Sequence, residues 1–278
     1  MKDRKHGTCK LTGTYGKFVK SHIIPKSLTP REAAGAAMFQ SDGLDRPIRR
    51  FDSWYDAALV IRKGEDILEE IDARALQEMR RHKLAWRFWE TLDELGLEPF
   101  QAGAARGIRI LNGVDHIALA KFAISVLWRA GASELPDMQN FRVPETTLTA
   151  AREIVNGTNA FDPTIFPIKV FQFAPKGPLH NLTTMNHEMD RPDGLVEHFF
   201  RIFANGLFFH ITDTTKSQPY DLGQASWYLG NQDRLSVICF DFYQSTQYEF
   251  TLSALDSFRA FKNSKSMLTP TPQKKDIG

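Results

Sequence analysis

The pattern of apolar and polar positions changes period along this 278-residue chain, and the changes mark its expected elements. Between 65 and 82, Ile67, Leu68, Ile71, Ala75, Leu76 and Met79 recur at helical spacing. Acids come early and Arg80, Arg81 and His82 late, as the helix dipole favours, so the stretch predicts an amphipathic helix. Trp86, Phe88 and Trp89 extend an aromatic patch into a second helical stretch near 86–95. Residues 115–130 are apolar on nearly every side, which predicts a helix covered all round, with Asp115 as its cap. Residues 144–157 begin with Pro144 and end at Gly157, the asymmetry of one more helix.

Strand signals flank this helical middle. Phe18 and Val19 suggest a short strand that Pro25 stops, leaving His22 at a strand end or in the loop that follows. The run A-A-L-V-I at 57–61 reads as a short buried strand, and 31–53 reads as loop. Beyond 160 the period becomes two. Residues 165–173 alternate, residues 196–212 place Asn205-Gly206 between two aromatic strands as a hairpin, and 234–252 supplies one or two further strands. The predicted fold is α+β: an N-terminal region over 1–95, a helical region over 96–160, an antiparallel β region over 161–262 packed on the long apolar helix, and a flexible tail over 263–278.

Composition sharpens this picture by exclusion. With 42% apolar, 24% charged and 12% aromatic residues, the chain is globular rather than disordered or collagen-like. No apolar run reaches the roughly 18 residues that cross a bilayer, and the first thirty residues lack a hydrophobic export core. A cytoplasmic protein with no membrane partner is expected. Cys9 and Cys239 alone build no disulfide framework, which fits a reducing compartment. The net charge of +2 conceals a basic head: residues 1–50 hold 11 Lys/Arg against 4 Asp/Glu, a local +7. Such an excess is the footprint of a surface that meets phosphates, or simply a solvated segment.

Chemistry concentrates in that head. C-K-L-T-G begins at Cys9, G-K-F-V-K-S-H-I-I-P runs from Gly16, and about thirty residues later D-A-A-L-V-I-R-K-G-E spans Asp56 to Glu65 ahead of the helix. This order of knuckle, strand ending in His, loop, strand, second knuckle and helix resembles the ββα-metal (HNH) endonuclease family over residues 9–80. The segment S-H-I-I-P-K-S-L-T, with the later helix ending L-W-R-A, looks closer still to a bacterial subfamily of such proteins. The resemblance implies an N-terminal ββα-metal-like motif and a bacterial or phage nuclease that hydrolyses phosphodiester bonds in nucleic acid, in a defence context. It makes His22 the general base toward a water. Ser21 stands where the family has a metal-binding Asp or His. Asp56 falls at the position of an Asn that steers the base, where it can orient His22 or serve as a ligand. Glu65 falls where the first helix residue binds the ion, and a carboxylate suits Mg²⁺ or Mn²⁺ there. The family's structural zinc is not expected, because its four positions read Cys9, Thr12, Ile61 and Gly64.

Plainer readings stand beside these. Glu65 at a helix start complements the dipole, Asp56 is an ordinary turn residue, and Cys9 is a small buried side chain. Lys20, Lys26, Arg46, Arg49 and Arg50 are candidates for phosphate contacts if nucleic acid binds. The alternative function is a catalytically inactive HNH-like module that binds nucleic acid, a nucleotide or, through the C-terminal β region, a protein. Other hydrolase signatures are missing: there is no G-x-S-x-G, no G-x-x-x-x-G-K-[ST] and no H-E-x-x-H. His187-Glu188 lies in apparent loop, His198 and His210 flank the hairpin turn as a weak metal pair, and the phenylalanines around them read as β core.

Overall fold

A computed structural model describes residues 5–29, 53–89, 95–100, 105–177, 181–191, 193–217, 225–230, 233–249, 251–253 and 256, with the backbone of 38–41 and 48–50. Its first strands are very short. β1 (His6–Thr8) and β2 (Tyr15–Lys17) form a hairpin turned at Gly13, and β3 (Ser21–His22) follows. Two strands, β4 (Met38–Ser41) and β5 (Ile48–Arg50), lie in the stretch expected to be loop. Phosphate candidate Arg46 and the flexible-tail assignment lie outside the described residues, and of Arg49 and Arg50 only the backbone is described.

β6 is Tyr55–Asp56, antiparallel to β3, so the strand expected at 57–61 sits earlier. The physical reason is a turn: Asp56 Oδ1 accepts from Ala58 N at 2.7 Å and bends the chain out of the ladder. The buried run that follows is tied down singly, Lys10 N donating to Leu59 O and Val19 N to Val60 O, with Phe18 bridging Ile61. Helix α1 (Arg62–Arg81) then begins.

Of the helical stretch expected near 86–95, residues 90–94 lie outside the described residues, and Trp86–Phe88 form one turn of 3-10 helix. Their backbone donors are taken elsewhere: Trp86 N reaches Asn205 O and Arg87 N reaches Asn205 Oδ1. Strand β7 (Ala105–Asn112) lies within the stretch expected to be helical, and leads to α2 (His116–Ala132) and α3 (Glu145–Val155). Asp115 caps α2 by accepting from Ala118 N at 2.9 Å. Gly157 takes φ +82 just beyond α3.

The remaining strands are β8 (Ile168–Phe173), β9 (Asn181–Leu182), β10 (Met185–Asp190), β11 (Val196–Ala204), β12 (Leu207–Thr212) and β13 (Arg234–Phe240). Six of them form one sheet in the order β10-β11-β12-β8-β13-β7. The sheet is mixed, not wholly antiparallel, because β13 runs parallel to β8. β9 pairs instead with β4, also in parallel. Asn205 and Gly206 both have positive φ at the β11–β12 turn, the geometry that Asn-Gly favours. One face of the sheet packs on α2, with Phe122 against Phe209, and on the segment that follows α2, with Phe141 against Phe200. The same cluster continues through α1 and α3 to Cys9, Leu11 and Ile61 in the N-terminal region. No helix among the described residues is long and apolar enough to cross a membrane.

Candidate functional site

Register decides where the predicted residues point. Ser21 lies opposite Asp56 and His22 opposite Tyr55, so the two pairs project to opposite faces of a two-residue ladder. Burial agrees: Ser21 and Asp56 are buried, His22 is half-buried and Tyr55 is 42% exposed. The His22 ring lies 6.1 Å from that of Tyr55, and Lys20 Nζ sits 3.7 Å above the Tyr55 ring. Lys26 is exposed on the turn that follows Pro25.

Asp56 is occupied by structure. Its Oδ1 holds the turn at Ala58, and its Oδ2 accepts from Ser133 Oγ at 2.8 Å, tying β6 to the end of α2. Asp56 therefore faces away from His22, and the turn-residue reading describes its contacts.

Glu65 stands in the first turn of α1, and its surroundings differ. Its Oε2 and the Ser21 Oγ are both buried, and neither has a hydrogen-bond partner. Burial pushes the Glu65 carboxyl above its ordinary value of 4.5; the nearby Ser21 hydroxyl and the Arg129 guanidinium oppose that shift, and Glu69 and Asp72 reinforce it. Although the Ser21 hydroxyl favours the ionised carboxylate, it makes no hydrogen bond of ordinary length and angle. Two orphaned oxygens thus lie together, one on the residue before His22 and one on the helix that follows β6.

Arg129, which local sequence reading passed over, holds this corner. It is 2% exposed, yet it carries a charge. Its guanidinium grips Asp72 of α1 through two bonds of 2.6 and 3.0 Å, donates to Ser125 Oγ at 2.8 Å and donates to the backbone O of His22 at 3.0 Å. A bidentate buried pair with its remaining donors satisfied is the arrangement in which an internal ion pair is tolerated. The carbonyl of His22, α1 and α2 are thereby fixed to one another. The signal in the sequence was an arginine near the end of a largely apolar helix.

The four positions that carry zinc in the resembling family are packed against one another instead. Thr12 N donates to Cys9 Sγ at 3.4 Å, and a Cβ placed on Gly64 would lie 2.9 Å from that sulfur. Ile61 covers Gly16 of β2. The two knuckles meet through sulfur, methyl groups and bare backbone.

Fit to a divalent cation follows from these donors. His22, Asp56 and Glu65 do not gather around one point, and no group of three or more His, Cys, Asp or Glu among the described residues is arranged to hold a metal ion. Mg²⁺, however, commonly takes one or two protein carboxylates and completes its shell with waters and substrate phosphates. The orphaned Glu65 and Ser21 oxygens suit that mode; Asp56 does not.

Elsewhere, His187-Glu188 lies on the exposed edge strand β10 rather than in loop. His198 and His210 do not face each other: His198 Nδ1 lies 3.6 Å from Glu188 Oε2, whereas His210 is paired across the ladder with Arg201. A pocket lined by Lys83, Trp89, Leu95, Gly96 and Arg109 lies beyond the C-terminal end of α1, separated from Glu65 by nearly the whole helix. No protein-family model, curated protein or solved structure matches this chain.

Proposed function

We propose that the chain is a divalent-cation-dependent endonuclease that hydrolyses phosphodiester bonds in nucleic acid, with an N-terminal ββα-metal-like motif as its working part. The observation that carries this reading is the pair of unsatisfied buried oxygens, Ser21 Oγ and Glu65 Oε2, the first on the residue that precedes the half-buried His22, whose ring projects from the other face of the β3–β6 ladder. A strand pair followed by a helix, with the knuckle positions packed together, supports the family resemblance. Mg²⁺ or Mn²⁺, when bound, would make its water more acidic and offset charge on the phosphate.

The chain's own residues divide the remaining work. Glu65 and Ser21 offer oxygens to the cation. His22 accepts a proton from the attacking water through its imidazole, and Arg129 holds its backbone so that the ring keeps its place. Tyr55 carries the Lys20 cation over one face of its ring, a pairing suited to a phosphate at the cation and a base on the ring's other face.

Incubation with supercoiled plasmid and with single-stranded DNA and RNA, with Mg²⁺, Mn²⁺ or chelator, tests the reading. Expected is cleavage that needs the cation and falls by roughly 10²-fold or more in His22→Ala. Equal cleavage by His22→Ala overturns it. A second reading, a catalytically inactive module that binds nucleic acid, is favoured by the Ser21 hydroxyl standing where a charged ligand belongs and by the Lys20–Tyr55 pair. Binding of single strands that weakens in Tyr55→Ala, without turnover in any cation, selects that reading.

A further inference from the structure

The face of the six-stranded sheet turned away from α2 carries a polar row that neither nuclease chemistry nor core packing uses. Registers place Met185, Arg201, His210 and Lys169 side by side on β10, β11, β12 and β8. Lys169 is accounted for: its Nζ lies 3.1 Å from Glu197 Oε2, and Glu197 also accepts from Thr212. Arg201 has no such partner. Its guanidinium lies over the Phe208 ring at 4.7 Å and donates through Nη2 to the neutral Gln247 Oε1 at 3.0 Å, and no carboxylate of the described residues reaches it. Its Nε is buried without an acceptor. His210, directly across the ladder, is enclosed by Phe199 at 4.1 Å, Phe171 at 4.6 Å and Phe208 at 5.4 Å, and its Nε2 is likewise buried and unpartnered.

A desolvated guanidinium with one neutral acceptor is an expensive way to build a core. Stacking on an aromatic ring returns only part of what the lost water supplied. Burial lowers Arg201 to about 10, which leaves it charged at neutral pH. His210 is held well below its usual range by burial and by the charges of Arg201 and Lys169, as well as by His187. Positive charge here exceeds negative charge, since Glu197 is the one acid on this face of strands β8 to β13 and it is engaged by Lys169 and Thr212. Arg201 and His210 each keep part of their surface open, while Arg201 Nε and His210 Nε2 are themselves buried, so an anion must displace neighbouring side chains to meet them.

We propose that Arg201 and His210 form a binding site for an oxyanion, a phosphate, sulfate or carboxylate group whose oxygens take the free Arg201 Nε–H and face the His210 ring nitrogen. The guanidinium supplies charge, and the phenylalanines exclude water and strengthen the interaction. This site is separate from the Ser21–Glu65 corner, so its existence does not depend on nuclease activity.

Thermal unfolding with millimolar sulfate, phosphate or acetate, each against chloride at equal ionic strength, provides the test. At these concentrations general salt exclusion is small. The wild-type midpoint should rise with at least one oxyanion and saturate, with sulfate and phosphate leading if the group is tetrahedral and acetate if it is a carboxylate. Calorimetric affinity for that anion should fall roughly tenfold or more in Arg201→Gln, the cost of one charge-assisted hydrogen bond. His210→Phe, which keeps the aromatic stack, should weaken binding while leaving the fold intact. Without a saturable response in the wild-type protein, or with an equal response in Arg201→Gln, the proposal is overturned. Should Arg201→Gln fail to fold, the His210→Phe titration decides alone: undiminished affinity overturns it.

Discussion

The N-terminal region and the six-stranded sheet secure their backbones in opposite ways. In the sheet, strands of six to nine residues bury apolar side chains against α2, and the β11–β12 ladder is closed by a turn whose two residues match its required conformation. Its order is spread over many contacts. In the N-terminal region the strands are two to four residues long, too short to persist by pairing alone. Their position depends on a few side chains: Arg129 from α2, Cys9 against Gly64, and Ile61 against Gly16. A candidate site built on that region inherits the dependence, and its oxygens can stay unsatisfied because distant elements hold them in place.

The hardest test of this contrast is Arg129→Met. It strands Asp72 and removes the donors to Ser125 and the His22 carbonyl, so a loss of about 3–5 kcal/mol is expected by denaturant titration, as for breaking a buried pair. A loss below about 1 kcal/mol would mean that the short strands hold themselves. Gly206→Ala asks whether the sheet has a comparable single point. A Cβ there would fall 2.3 Å from the Trp86 ring, at φ +83, so about 2–4 kcal/mol is expected from overpacking and left-handed strain together.

A smaller and more pointed effect comes from Gly64→Ala. Alanine favours a helix by about 1 kcal/mol over glycine, yet its methyl would meet Cys9 Sγ at 2.9 Å and Val60 at 3.0 Å. Net destabilisation of about 1–2 kcal/mol is expected, partly relieved when Cys9→Ala is added, with coupling of roughly 0.5–1.5 kcal/mol in the double-mutant cycle. Additive losses would show that the knuckles do not touch through sulfur.

The pH dependence is expected to be gentlest. Burial lowers His82, His116 and His210 from 6.5, so below that pH the unfolded chain binds more protons than the native one. Stability should rise with pH through the window beneath 6.5 and be lost on acidification. Glu65 acts in the opposite sense: its raised carboxyl binds more protons in the native state just above 4.5, so its contribution declines as pH rises there. Glu65→Gln should therefore gain stability relative to wild type near pH 7 and lose that advantage in acid, as read from midpoints across pH 4–8.

Much of this architecture was legible locally. The periodic apolar stripe of α1, the all-round apolar α2 with its Asp115 cap, the Pro144-to-Gly157 frame of α3 and the Asn205-Gly206 hairpin each carry their instruction within a few residues. The misses share a cause. β7 sets Arg109 at a buried position, which disguises the strand; that arginine is acceptable because the carbonyls of His82 and Lys83, beyond the end of α1, and the Gln172 side chain of β8 receive it. β10 is an exposed edge and has little apolar pattern to show.

For the candidate site, sequence nominated His22 and Glu65 and offered two readings of Asp56, and the register of β3 against β6 separated Asp56 from His22. Local propensity and periodicity, being interactions among near neighbours, were enough to determine which segments become helix or hairpin. Which strands pair in parallel, which arginine is buried and which oxygens are left without partners depend on groups far apart in the chain, such as Phe171 and Ile238 or His22 and Arg129. Only packing in three dimensions could decide them, because the energy of a buried charge or an unsatisfied oxygen is set by what surrounds it and not by its neighbours along the chain.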